Sequence, residues 1–328
     1  AADVRLDDDA LYADRRTFDV ALRRADALTL FSSLRPFARS EPAALHMGAA
    51  KELREECHRR PENEIFDLAQ VWAHDPDPDK RATAAIALGR TPDDDEPAPD
   101  HIVSLLLNLV EDDVPAVAMA ALASLGERTR RDFDEDTRAM LRACEMRPED
   151  EVRLAYARMH RSPYMHDHLR GEEDVDVWAR LLRDPAASVR AEAAAHVNCC
   201  LCSSSDWVVE VIGRPDIRRA LLDTMSDADA RVRVASLNAL VRMNDLRGMA
   251  AAEAALDDSL RRMPSLDAAG LCALGEELCA TLEGFRSPRI TPKLRQWKKI
   301  VEASDIDCDA KYHYRHWIDG AIAESKAA

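Results

Sequence analysis

The sequence predicts an all-α solenoid, a right-handed superhelix of antiparallel helix pairs, and three observations carry that reading. First, DPDPDKRATAAIAL, DPAASVRAEAAAHV and DADARVRVASLNAL each place an Arg six residues after an Asp, ahead of an Ala-rich apolar stretch. The pairs are Asp75 and Arg81, Asp184 and Arg190, and Asp227 and Arg233. Second, two degenerate copies fill the gap, EDDVPAVAMAALASL from Glu111 and RPEDEVRLAYARMH from Arg147. The starts at 75, 111, 147, 184 and 227 give intervals of 36, 36, 37 and 43. A period of this size marks a repeat array whose units bury their apolar faces on one another. Third, the chain is 47% hydrophobic but only 5% aromatic, with 10 Gly in 328 residues. That composition fills a helical core with Ala, Leu and Val rather than building alternating β-branched strands.

The elements follow in order along a single solenoid spanning residues 1–328. Residues 1–40 read as N-terminal capping helices, with Leu11, Phe18, Leu22 and Leu30 on one inner face. A terminal unit needs a polar outer surface, which the acidic start supplies. Residues 41–245 hold the repeats. The stretch AALHMGAAKELREE (43–56) reads as a second helix, with Glu41 about one period before Asp75.

First helices show apolar residues three and four apart: Ile65, Leu68, Ala69 and Trp72; Ile102, Leu105, Leu106 and Leu109; Val177, Trp178, Leu181 and Leu182; Ile217, Leu221, Leu222 and Met225. That spacing puts one stripe of each helix against a core. Six residues before the aligned start stand Ala69, Leu105, Leu141, Trp178 and Leu221. The turns carry Asp and Pro, which suit a helix start because Asp accepts from unpaired backbone N–H groups and Pro loses no bond there. Ten residues after the start stand Ala85, Ala121, Ala157, Ala194 and Leu237, small enough for close stacking in four of five copies. Leu88, Leu125, Val197 and Leu240 then fill the far end. Residues 246–328 read as a degenerate repeat and C-terminal closing helices. The longest loops fall at 91–100, 161–174 and 198–206, where binding residues collect in repeat arrays.

This unit resembles the HEAT repeat. Three copies carry the Asp and Arg six apart, and Val152–Arg153, Val189–Arg190 and Val232–Arg233 match the family's Val-Arg. The resemblance spans roughly residues 62–245 and is specific for fold, not for activity. It implies a structural ladder on the inside of the turns, with Asp75, Arg81, Asp184, Arg190, Asp227 and Arg233 as rungs between adjacent repeats. The copy at Glu111 has Val117 where Arg is expected, and the copy at Arg147 lacks the Asp, so the ladder is expected to break in the middle of the chain.

The formal net charge is −16, which repels a phosphate backbone and makes a nucleic-acid partner unfavourable. One stretch runs the other way. RSPRITPKLRQWKK holds Arg286, Arg289, Lys293, Arg295, Lys298 and Lys299 with no acid among them. It reads either as a solvated helix face or as a docking patch for an acidic partner. No run of 18 apolar residues occurs, so no membrane span is expected. The start AADVRLDDDALYADRR lacks the basic and apolar regions of a signal peptide. The 8 Cys are irregularly spaced, so reduced thiols in a cytoplasmic protein are expected.

Chemistry-bearing clusters are few. His196, Cys199, Cys200 and Cys202 are good zinc ligands by type, but they crowd one probable helix end, whereas structural zinc sites take paired ligands from two separated halves. Free buried thiols are the plainer reading, and Cys272 and Cys279 read likewise. His160, His166 and His168 lie among Asp167, Glu172, Glu173 and Asp174, in what reads as a solvated inter-repeat loop. His313 and His316, with Tyr312, Tyr314 and Trp317, suit a closing helix. The sequence has no G-x-x-x-x-G-K-[ST], G-x-G-x-x-G, G-x-S-x-G or H-E-x-x-H, so neither catalytic residues nor a cofactor are expected. The absence of any His-Glu pair separates it from HEAT-type iron hydroxylases.

The expectation is a non-enzymatic protein-binding or scaffold protein that holds another protein on its concave surface. One alternative is a DNA-binding protein or glycosylase like the HEAT-like DNA alkylation glycosylases, with Trp178, Asp184 and Trp207 at the lesion and Arg153 and Arg190 toward the backbone. A bilin or chromophore lyase subunit is a further alternative, since HEAT-like repeats also occur in those enzymes.

Overall fold

The computed structural model describes residues 25–40, 48–59, 62–89, 99–128, 133–161, 172–197, 214–282, 285 and 287–327. The regular elements among them are all helices, so the fold is all-α, with helix pairs stacked as in an α-solenoid. The chain divides into two compact units, residues 1–174 and 175–328.

The first unit opens with α1 (Ala27–Leu34), α2 (Gly48–His58) and α3 (Glu62–Ala73). It continues with α4 (Pro78–Ala87), α5 (Asp100–Val110), α6 (Pro115–Arg128), α7 (Glu135–Ala143) and α8 (Asp150–Arg161). Helix α1 packs on α2, α3 and α4, and its Phe31 meets Trp72 edge-on with centroids 5.2 Å apart. Leu30 is buried in this cap, while Leu11, Phe18 and Leu22 lie outside the described residues. Asp77 caps α4 by accepting from the Asp79 amide, with Pro78 at the first helical position. Asp134 caps α7 in the same way through Thr137.

Second helices lie side by side: α4 on α6, and α6 on α8. Small residues allow it. A Cβ placed on Gly126 would stand only 3.3 Å from Met159 Cα. The Ser124 hydroxyl donates to the Ala85 carbonyl oxygen across the α4–α6 junction at 2.8 Å.

The second unit contains α9 (Glu172–Leu181), α10 (Ala187–Val197), α11 (Pro215–Thr224) and α12 (Ala230–Arg242). It closes with α13 (Leu246–Arg262), α14 (Ala268–Leu282), α15 (Thr291–Ala303) and α16 (Cys308–Ala327). Here α10 packs on α12 and α12 on α14. The α12 terminus explains why the Asp–Arg turn disappears after residue 245. Asn244 takes a left-handed φ of 52°, and the Asp245 and Asn244 amides donate to the carbonyls of Leu240 and Val241. This is a Schellman stop, and Asp245 at once caps α13 through the amides of Arg247 and Gly248. The closing helices bury Leu256, Leu278, Leu294, Trp297 and Ile318 together.

The structure corrects the repeat register in the second copy. In the first, fourth and fifth turns an Asp accepts the amide two residues on: Asp75 from Asp77 at 2.9 Å, Asp184 from Ala186 at 2.8 Å, and Asp227 from Asp229 at 2.9 Å. The residue doing this in the second copy is Asp112, from Val114 at 2.9 Å, not Glu111. The Arg-equivalent position is therefore Ala118, not Val117. Val117 instead aligns with Val152, Val189 and Val232, and all four are completely buried. Six residues before the corrected start stands Leu106, fully buried like Ala69, Trp178 and Leu221.

Candidate interaction surface

The turns between paired helices concentrate the polar side chains. Arg81 donates Nε and Nη2 to the two carboxylate oxygens of Asp112 at 2.6 and 3.0 Å. Its Nη1 donates to the carbonyls of Asp75 and Pro76 at 3.0 and 3.2 Å. Arg190 repeats the geometry, with Asp227 at 2.8 and 2.9 Å and the carbonyls of Asp184 and Pro185 at 2.7 and 2.9 Å. One nitrogen thus closes the repeat's own turn while the other two grip the next repeat, a bidentate charge-assisted pair.

Arg153 and Arg233 make the carbonyl half of this pattern, Arg153 to Arg147 and Pro148, Arg233 to Asp227 and Ala228. Asp75 is held by Lys80 at 2.7 Å. The hydrogen bonds from Arg190 hold the Asp227 carboxyl below its ordinary range. At Asp112 burial works against the charge, but the bonds from Arg81 and the Val114 amide prevail and its carboxyl is also lowered.

The break falls at Ala118, whose side chain has no donor to offer. Arg147 takes over from the other side. It occupies the Asp position of the next repeat and reaches back to the Asp112 carbonyl at 3.3 and 3.2 Å, while pairing with Glu149 at 3.1 Å. Nothing in the period signals this contact. Also invisible to the repeat pattern are the ion pairs Arg35–Asp77 and Arg39–Asp79, and the clasp of Arg214 on Asp176 and Asp216. Arg214 pulls the Asp216 carboxyl down to about 2.

The C-terminal cations separate into two groups. Lys293 donates to Glu253 and Asp257 of α13 at 2.9 and 2.7 Å. Lys298 donates to both oxygens of Asp319 on α16 at 2.7 and 2.8 Å. The acids missing from the local sequence are thus supplied by neighbouring helices. Arg289, Arg295 and Lys299 are exposed. Arg286 lies outside the described residues.

Trp178 and His196 are both buried and stacked, with centroids 4.1 Å apart and planes 8° from parallel. Cys199, Cys200 and Cys202 lie outside the described residues, as do His166, His168 and Trp207. Buried Trp178 has no free face for a nucleobase, and Asp184 is also buried. On α16, His316 stacks on exposed Tyr312 at 6.1 Å. Tyr314 is buried instead, its single hydroxyl proton shared between the Cys272 carbonyl at 2.9 Å and Glu276 at 3.0 Å.

Burial pushes the thiols of Cys144 and Cys279 up to about 11 and 12, so both stay protonated and unreactive. Among the described residues no group of three or more His, Cys, Asp or Glu is placed to hold a metal. No described helix is long and apolar enough to cross a membrane.

Residues 65–159 match the family model for HEAT repeats. The crystal structure of YibA from Escherichia coli is 17% identical and superposes with a TM-score of 0.56, covering 93% of this chain and 98% of that one. At that identity the likeness is one of fold. No curated protein matches the chain.

Proposed function

From a chain that carries HEAT repeats, we propose a non-enzymatic protein-binding or scaffold protein that holds its partner on the concave surface made by successive second helices. The observation that supports it most is the layer of second helices in each unit, α4, α6 and α8 in the first and α10, α12 and α14 in the second. Of these, α8 and α12 each bury one side and keep another partly exposed, whereas α4 is buried all round from Ala82 to Ala87. On α8 the open side carries Glu151, Leu154 and Arg158; on α12 it carries Arg231 and Val234. A mixed apolar and charged row of this kind suits a polypeptide segment.

The polar residues of the turns add to the reading, because Arg81 and Arg190 engage all three guanidinium nitrogens within the protein. They serve the stack and not a small ligand. The test is a pull-down from native extract of the source organism, with tagged full-length chain and nuclease treatment. The expected result is a stoichiometric protein retained in moderate salt. Recovery of nucleic acid alone before nuclease, and of nothing after it, would overturn the reading.

A further inference from the structure

We propose that the outer ridge of α15 and the turn before it, formed by Arg289, Arg295 and Lys299, is a docking surface for an acidic polypeptide segment. This deepens the protein-binding reading and rests on it. Helix α15 buries Leu294, Trp297 and Val301. On one flank Lys293 ties it to α13, and on the other Lys298 ties it to α16. Between those flanks Arg289, Arg295 and Lys299 point to solvent, and among the described residues no carboxylate pairs with any of them.

Such a row has no stabilising role of its own. Arg295 and Lys299 are like charges four residues apart on a helix, a spacing that costs a few tenths of a kcal/mol. The first turn of α15 contains no acid and holds Lys293 at the positive end of the helix dipole, with Arg289 just before it. In a chain of net charge −16, partners for these cations were chemically plentiful, and the flanking lysines found theirs. A locally unfavourable row without a structural return points to an external anion.

The geometry favours a peptide over nucleic acid. The ridge runs from residue 289 to 299, about 15 Å at the helical rise per residue, which matches four or five residues of extended chain. Beyond it, less than one turn past Lys299, lies exposed Glu302. A short acidic segment ends where the ridge ends, whereas a polyphosphate would continue into like charge.

The test uses full-length chain and a fluorescein-labelled pentaglutamate peptide, read by fluorescence anisotropy at low ionic strength. Arg295→Gln with Lys299→Gln should weaken binding by about 10-fold, and Arg295→Glu with Lys299→Glu should weaken it further. Arg261→Glu with Arg262→Glu on α13 makes the same charge change elsewhere and should leave affinity within about twofold. Circular dichroism of each variant should match the unaltered chain, because all the substituted side chains are exposed. Equal losses in the ridge and α13 variants would overturn the proposal. So would no binding by the unaltered chain, or tighter binding of a single-stranded oligonucleotide of equal charge. None of these outcomes removes a partner captured by pull-down, so the ridge and the wider protein-binding reading fail separately.

Discussion

Arg147 donates Nη1 and Nη2 to the carbonyl oxygen of Asp112, so the joint between the second and third repeats is bridged from the far side. At Arg81 and Arg190 an Arg at the start of a second helix reaches forward to the next Asp. Here Ala118 stands in the Arg position and Arg147 in the Asp position, an exchange of donor between neighbouring turns. The exchange can be tested by reversing it. Arg147→Asp alone removes the donor and should cost about 1–2 kcal/mol, the usual effect of leaving a half-buried acceptor unpaired. Ala118→Arg alone places a second cation beside Arg147 and should also destabilise. The double variant restores the forward rung, and urea denaturation should show a favourable coupling of about 1–3 kcal/mol. Additive losses would mean that the two positions do not communicate.

The Arg190–Asp227 rung makes a pH prediction. The folded state holds the Asp227 carboxyl below its ordinary range, chiefly through the hydrogen bonds from Arg190. Its contribution is therefore present above the unfolded carboxylate pKa of about 3.9 and is lost as pH falls through the lower folded value. Asp227→Asn keeps an oxygen for the Asp229 amide but removes the charge. It should destabilise the protein by about 1.5–3 kcal/mol at neutral pH, with the gap closing once the medium falls below about pH 4. A gap that stays constant down to acid would show that the charge on Asp227 contributes nothing.

Two glycines should respond oppositely to the same change. A Cβ on Gly275 would lie 2.8 to 3.2 Å from the Tyr314 ring, and that ring cannot retreat because it is buried and anchored through its hydroxyl to Cys272 and Glu276. Gly275→Ala should destabilise by about 1–2 kcal/mol through overpacking, despite alanine's better helix propensity. Gly320 has nothing within 4 Å of its Cβ position, so Gly320→Ala should stabilise by about 0.5–1 kcal/mol. Thermal melts of the two variants settle the comparison.

The sequence made the helical repeat legible because Asp75, Asp184 and Asp227 each begin a turn with the same backbone demand and each is followed by an Arg at a fixed offset. The second copy misled by one residue. Three consecutive acids, Glu111, Asp112 and Asp113, offer equal candidates, and only the amide of Val114 distinguishes them. Buried Val117 was the better anchor, since the apolar contact survives where the polar one is lost. The C-terminal patch was legible as charge but not as surface. Lys293 and Lys298 find their acids 36 to 40 and 21 residues away, and no local pattern records a tertiary pairing of that kind. Trp178 on His196 was equally hidden, because a stacked pair 18 residues apart requires the helices to be packed first.

The measurement closest to the central proposal is hydroxyl-radical footprinting of the full-length chain, free and in the complex recovered by pull-down. The second-helix reading requires oxidation of Leu154 on α8 and Val234 on α12 to fall on binding. Exposed Val71 on first helix α3 and exposed Met146 beyond α7 should be unchanged. Protection of Val71 and Met146, with Leu154 and Val234 still oxidised as in the free chain, would contradict it.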